Sequence, residues 1–284
     1  MKKPVLITII ILASIVYLLI LTFIIISFRK TSTFASDAIA VIEVEGVISE
    51  AKPIVDQLKK YTKNPFIKGI LIRIDSPGGG VVAAQEIYNE IKNTKTKGKK
   101  IVVSMGAISA SGGYYIACPA DIIVANPGTL TGSIGVIMQF PIIDELLKKI
   151  GIRFETIKSK EHKDIASPFR PLTEKERNLL TETTLDIYDQ FIEVIVDNRN
   201  LLREQILAIA DGRIFSGQQA QKYGLVDSLG SYQDAIKITA HLCGIKKEPK
   251  IIKERPPFSF FRKALSRSLS RLVSPIPLYL YQLN

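Results

Sequence analysis

Tryptophan is absent from the 284 residues, and cysteine, methionine and histidine are scarce, at two, three and two. Two cysteines, Cys118 and Cys243, exclude a disulfide framework and match no metal-ligand spacing. A single bridge is the most they could form. Two histidines, His162 and His241, leave little stock for an imidazole-based catalytic centre. The chain has no internal repeat. The glycine-rich stretch Asp75–Gly80 contains neither Gly-x-x-x-x-Gly-Lys-Ser/Thr nor Gly-x-Gly-x-x-Gly, so nothing in it points to nucleotide phosphates.

What is abundant is apolar surface and positive charge. An apolar share of 46% with 23% charged residues is ordinary for a folded protein, and the length suits one membrane span plus one sizeable domain. The net charge of +11 is concentrated at one end: residues 246–284 hold nine Lys or Arg against two acids, Glu248 and Glu254, and so carry +7 of it. The remainder is close to balanced, which argues against a nucleic-acid groove across the folded part.

From Pro4 to Phe28 no residue is charged, and Lys2-Lys3 and Arg29-Lys30 flank the run. As a helix it would be about 37 Å long, against a hydrocarbon core of about 30 Å. It is too long for the apolar stretch of a cleaved leader, and Thr33-Phe34-Ala35 is a poor cleavage site. Residues 1–30 are therefore expected to be an uncleaved single-pass anchor, with a linker over 31–37. The flanking charges are nearly equal, so the sidedness stays open.

Brief β-branched runs then alternate with helical stretches. The runs Ala38–Ile48, Gly69–Asp75, Lys100–Ser104, Asp121–Ala125 and Ile134–Met138 read as strands buried on both faces, and the alternation predicts an α/β fold with a largely parallel sheet. Val81–Lys97, with Val82, Ile87 and Ile91, reads as a crossover helix. Thr173-x-x-Glu176 is a capping box opening a long helix towards Asn198, and Ser216 caps a short helix that Gly224 ends. The domain is expected over 38–245, followed by a basic tail over 246–284. Phe261, Leu265, Leu269 and Leu272 give that tail the spacing of an interfacial helix on anionic lipid, and a solvated basic tail is the alternative.

Two segments carry candidate chemistry. Asp75-Ser-Pro-Gly-Gly-Gly joins a strand to a helix, so its amides can converge on an anion, although a glycine-rich turn needed only for packing gives the same pattern. Ser111, in Ser109-Ala-Ser-Gly-Gly-Tyr-Tyr, follows an apolar strand and precedes a helix-compatible run, where unpaired amides favour a developing negative charge. An ordinary N-cap serine reads the same, and the Gly-x-Ser-x-Gly elbow fails because residue 109 is serine. A serine nucleophile needs a base. His241 reads as a packing residue, and His162 directly precedes Lys163. A lysine can serve only if burial lowers its pKa by roughly three units, since about one in a thousand is otherwise neutral at pH 7. Such a lysine belongs in a dry pocket.

Five segments in order now carry a resemblance: Asp75-Ser-Pro-Gly-Gly-Gly, Ala110-Ser-Gly-Gly-Tyr-Tyr, Leu130-Thr-Gly-Ser-Ile-Gly-Val, Lys158-Ser-Lys-Glu-His-Lys-Asp-Ile, and Gly212-Arg-Ile-Phe-Ser-Gly with Gly224-Leu-Val-Asp. Over residues 38–245 the chain resembles the signal peptide peptidase SppA family in its short form. The resemblance implies a crotonase-like (ClpP-like) α/β fold and a Ser/Lys dyad, with Ser111 as nucleophile and Lys163 as base. It places the oxyanion donors on the Gly78 and Gly112 amides and the hydroxyl that orients the lysine on Ser133. Lys158 and Lys160 match no motif position. It further implies a homo-oligomeric ring in which neighbouring protomers share the dyad, a catalytic domain outside the cell membrane, remnant signal peptides as apolar substrates, and no metal or cofactor. An acyl-CoA enzyme on the same fold would leave the anchor and Ser111 unexplained. A silent membrane scaffold would make the five segments accidental.

Overall fold

The structure is a computed structural model, and the residues it describes are 14–19, 21, 22 and 37–254. The expected anchor and linker lie largely outside them, as does the basic tail beyond Glu254. Among the described residues, no helix is long and apolar enough to cross a membrane.

The strands are β1 (Ala38–Glu45), β2 (Ile67–Ser76), β3 (Lys100–Ala110), β4 (Ile122–Ala125), β5 (Leu130–Gly132), β6 (Ile214–Ser216), β7 (Ser228–Leu229) and β8 (Lys250–Lys253). The helices are α1 (Lys52–Lys63), α2 (Val81–Thr96), α3 (Gly112–Ala117), α4 (Asp144–Lys149), α5 (Glu174–Arg199), α6 (Arg203–Leu207), α7 (Gly217–Lys222) and α8 (Tyr232–Leu242). They build one sheet in the order β6-β5-β3-β2-β1-β8, with β4 on β3 and β7 on β4. Every pairing is parallel except β5 with β6. This is the α/β class expected from buried β-branched runs.

Alternation along the central strands divides the core. Ala40, Ile42, Val44, Ile70, Ile72 and Ile74 face α1, α2 and α3, whereas Ile39, Val41, Leu71 and Val102 face α8. All are buried, and each large aliphatic side chain contributes about 1.5–3 kcal/mol to the fold.

Several boundaries differ from expectation, and β3 runs six residues past the expected Ser104, to Ala110. β1 stops at Glu45 because Gly46 turns the chain with φ of 73°, and Ile48 keeps only an isolated bridge to Gly79. Ile134–Met138 forms no strand: the edge strand is Leu130–Gly132, and Gly132 and Ser133 then adopt φ of 79° and 50°, which carries the following residues off the sheet. The fold also runs past residue 245, since β8 pairs with β1 and satisfies backbone groups along its free edge. Val82, expected on the apolar face of α2, is 65% exposed in the first turn of that helix.

Candidate active site

The sheet is shaped to present Ser111. β2 and β3 pair in register up to Ile74 and Met105, then resume at Ser76 and Ser109, so two extra residues of β3 bulge out. Gly106 makes this possible, because a Cβ there would stand 2.7 Å from the Asp75 carboxyl carbon. That carboxylate accepts from the Ile108 N–H at 3.1 Å, and the Gly106 carbonyl accepts from the Thr129 hydroxyl at 2.8 Å. The bulge bends β3, and side chains satisfy the Ile108 N–H and the Gly106 carbonyl within it.

Ser111 follows directly, with φ of 52° and ψ of −121°. Few non-glycine residues adopt this conformation, and it is held on both sides. The Ser111 N–H donates to the Gly132 carbonyl at 2.9 Å, and its carbonyl accepts from the Tyr115 N–H at 2.9 Å. The sharp strand-to-helix elbow thus forms although residue 109 is serine. Ser109 is fully buried, and its hydroxyl donates to the Gly113 carbonyl at 3.4 Å. Gly113 is the position that must stay bare, since a Cβ would meet the Ser76 carbonyl oxygen at 2.9 Å.

Gly78 lies against the elbow. Its φ is 105°, and a Cβ would stand 2.8 Å from the Gly112 nitrogen and 2.9 Å from the Ser111 Cβ. Its N–H, however, donates to the Ser76 hydroxyl at 3.1 Å, so the expected oxyanion donor at Gly78 is already engaged. The amides of Gly79 and Gly112 have no partner among the described residues, and the Gly79 nitrogen stands 3.3 Å from where a Gly112 Cβ would be. The Gly79 backbone is pinned by its neighbours: Ile48 N–H donates to the Gly78 carbonyl at 2.9 Å, and Gly80 N–H donates to the Ile48 carbonyl at 2.8 Å. Sequence reading missed Gly79 because three successive glycines look alike. Only the Ser76 side chain singles out which amide is free.

Beside Ser111 opens a cleft of about 360 Å³, part of it solvent, floored by Gly79 and Gly112. Its walls are largely apolar: Val81 and Ala84 from α2, Tyr115 from α3, Val136, and Ile187 and Phe191 from α5, with Gln85 of α2 as a polar member. Tyr115 packs edge-on against both Tyr88 and Phe191, and burial pushes its phenol up to about 12. The contributions of α2 and α5 were not legible as site residues, because apolar positions on amphipathic helices read as core. Ser133 follows β5 as Ser111 follows β3, and the pairing of Ala110 with Gly132 sets the two serines side by side. The Ser133 N–H donates to the Arg213 carbonyl at 2.8 Å, while its hydroxyl has no partner among the described residues.

Lys163 is not brought into this cleft. It is exposed, in a turn-rich segment between β5 and α5, so within one chain the expected dry pocket for the lysine is not formed. Lys158 is taken up by Asp164 at 2.6 Å. The histidines do not fill the gap. His241 is exposed on α8, across the sheet from Ser111, rather than packed as expected, and His162 does not line the cleft. The cysteines are free, and burial holds the Cys118 thiol at about 12, which makes it a poor nucleophile.

A serine on a strained elbow of a mostly parallel sheet, beside amides unpaired among the described residues and an apolar cleft, defines a serine hydrolase that acts on acyl groups. Comparison with known proteins narrows this. The model of Peptidase family S49 matches residues 93–246, more than half of the chain, and that of Clp protease matches residues 28–131, which include β1 to β4 and Ser111. The slr0021 protein of Synechocystis sp. is 46% identical over 218 residues, covering 76% of this chain and 77% of the relative. Protease 4 of Haemophilus influenzae is 33% identical over 222 residues, and the serine protease SPPA of Arabidopsis thaliana 31% over 233. This chain spans only 36% and 34% of those two proteins. A solved ClpP1 from Listeria monocytogenes covers 73% of this chain and 98% of its own length, with 18% identity and a TM-score of 0.48. The chain belongs to the SppA family, peptidase family S49, and is a serine-type peptidase.

Proposed function

We propose that this peptidase is a membrane-bound endopeptidase that cuts apolar peptides, such as remnant signal peptides, with a Ser/Lys dyad shared between neighbouring protomers of a ring. The observation that carries the reading is the Ser111 elbow, whose hydroxyl has no partner among the described residues and lies beside two amides likewise unpaired among them and an apolar cleft. Ser111 attacks the peptide carbonyl, and the Gly112 and Gly79 N–H groups receive the oxyanion. Neutral Lys163 takes the serine proton and returns it to the leaving amine, after which water releases the acyl group. Ser133 turns the lysine amine towards Ser111.

The surface of residues 136–172 supports a shared site. Ile137 and Ile157 are 78% and 96% exposed, Phe154 stacks on Phe169 with centroids 3.9 Å apart, and α4 buries none of its residues. An exposed apolar arm of this kind is covered in stable assemblies. Packing against a neighbour removes water from Lys163 and supplies the desolvation that a neutral lysine requires. The uncharged run Pro4–Phe28 supports a single-pass anchor that keeps the site next to apolar peptides in the cell membrane, with the domain on the extracytoplasmic side.

A fluorophosphonate probe tests the nucleophile and its base together. The assembled protein is expected to label on the Ser111 peptide by mass spectrometry, and the Lys163→Ala protein to label at least about 100-fold more slowly. Labelling of another serine, or rapid labelling of Lys163→Ala, would refute the assignment.

A further inference from the structure

We propose that Arg170 is a positioning residue for Lys163, clamping the lysine-bearing loop to the first turn of α5; this rests on the Ser/Lys reading above. The backbone around Lys163 has no regular secondary structure, and the tie from Lys175 of α5 to Glu161, at 3.1 Å, lies on exposed surface where an ion pair contributes little. The loop's local bonds are turns, Lys163 N–H to the Lys160 carbonyl at 3.3 Å, Ile165 N–H to the His162 carbonyl at 3.2 Å and Ser167 N–H to the Asp164 carbonyl at 3.0 Å, and Ala166 sits at φ of 63°. A catalytic group must be fixed to within about 0.5 Å, which such turns alone do not secure.

Arg170 supplies a second connection, and a more buried one. Its Nε and Nη2 donate to the two carboxylate oxygens of Asp164, the residue after Lys163, both at 2.9 Å. Its Nη1 and Nη2 donate to Glu176 Oε2 and Oε1 at 2.8 and 2.6 Å. Glu176 is 2% exposed and belongs to the capping box, where it accepts from the Thr173 N–H at 3.0 Å. From there α5 runs into the core through Phe191, Ile192 and Ile195. The buried path from Lys163 to the hydrophobic core thus runs through Asp164, Arg170, Glu176 and α5. Each carboxylate is met by a two-pronged contact, which a guanidinium fork can offer to both at once and an ammonium cannot.

Charge keeps the clamp shut at working pH. Arg170 and Lys158 hold the Asp164 carboxyl well below the usual carboxylate range, and Arg170 with the Thr173 N–H lowers Glu176 to about 2. A carboxylate depressed in the folded state stabilises fully above its unfolded value and loses that contribution only as pH falls through the folded value. For Glu176 that loss lies between 4.5 and about 2, below any pH at which a lysine base operates.

The test uses the full-length assembled protein in detergent with an apolar peptide substrate, comparing Arg170→Ala and Arg170→Lys with wild type and Lys163→Ala. Arg170→Ala is expected to lower kcat about 100-fold, the order of loss for a misplaced catalytic group, with KM changed by less than about threefold. The acid limb of its kcat profile should move up, because a loosened lysine regains water, which favours its charged form. Arg170→Lys should recover part of both, since it keeps one charged contact at a time. If Arg170→Ala does not fold, a folded Arg170→Lys protein with reduced kcat and the same shift of the acid limb supports the clamp. Either variant, folded and with the wild-type kcat and acid limb, overturns it. Activity retained in Lys163→Ala instead removes the dyad reading itself, independently of what Arg170 does.

Discussion

Ser111→Ala is expected to lower hydrolysis of an apolar peptide by about 10⁴- to 10⁶-fold, the loss seen when a nucleophile is removed, while leaving the fold in place. The structure explains why the two effects separate. The Ser111 backbone is fixed through its own N–H and carbonyl, to Gly132 and Tyr115, and neither bond involves the side chain. The hydroxyl has no partner among the described residues, so removing it orphans no buried group. The strained φ of 52° is the same burden for alanine as for serine. Steady-state kinetics with calorimetry checks both halves: wild-type melting with lost turnover fits a nucleophile, whereas wild-type turnover assigns the chemistry to another group.

Gly79→Ala carries the second large effect, and it acts through the backbone. The new Cβ would stand 2.2 Å from the Ile48 carbonyl oxygen and 2.6 Å from the Ile48 nitrogen, well inside any allowed contact. Both atoms are backbone and both are bonded into the loop, so no flexible side chain can yield. The Gly79 amide must swing away from Ser111, and losing one oxyanion donor costs about 10²- to 10³-fold in kcat. Forcing the loop apart also lowers stability by about 1–3 kcal/mol. Kinetics and denaturant unfolding of Gly79→Ala should show both losses. An unchanged kcat would remove Gly79 from the oxyanion site.

Much of this was legible in the sequence, for identifiable reasons. Buried strands were readable because short isoleucine and valine runs favour a pleated, buried backbone, and the start of α5 because Thr173 and Glu176 satisfy each other's amides. The position of Ser111 between strand and helix was readable too. What escaped were features set by contacts distant along the chain. Ile134–Met138 looks like a strand until Gly132 and Ser133 turn the chain aside. Gly78 and Gly79 are indistinguishable until Ser76 occupies one of their amides. The elbow was discounted because of Ser109, whose hydroxyl finds a carbonyl that no local pattern predicts. The clamp at Arg170 joins residues close in sequence, yet its role depends on Glu176 being buried, which spacing alone does not reveal.

The candidate base is where sequence and single-chain geometry part most widely. A working lysine must be dry, and Lys163 is exposed on an arm whose apolar side chains are also uncovered. In the proposed assembly, one neighbour packed on that arm would answer both problems and make each active site the joint property of two chains. Mixing two inactive variants tests this most directly. Ser111→Ala and Lys163→Ala proteins, dissociated and reassembled together in equal amounts, should regain about a quarter of wild-type activity, since that fraction of interfaces pairs an intact Ser111 with a neighbour's intact Lys163. A dyad contained within one chain would leave the mixture as inactive as its parts, and that result would contradict the shared site.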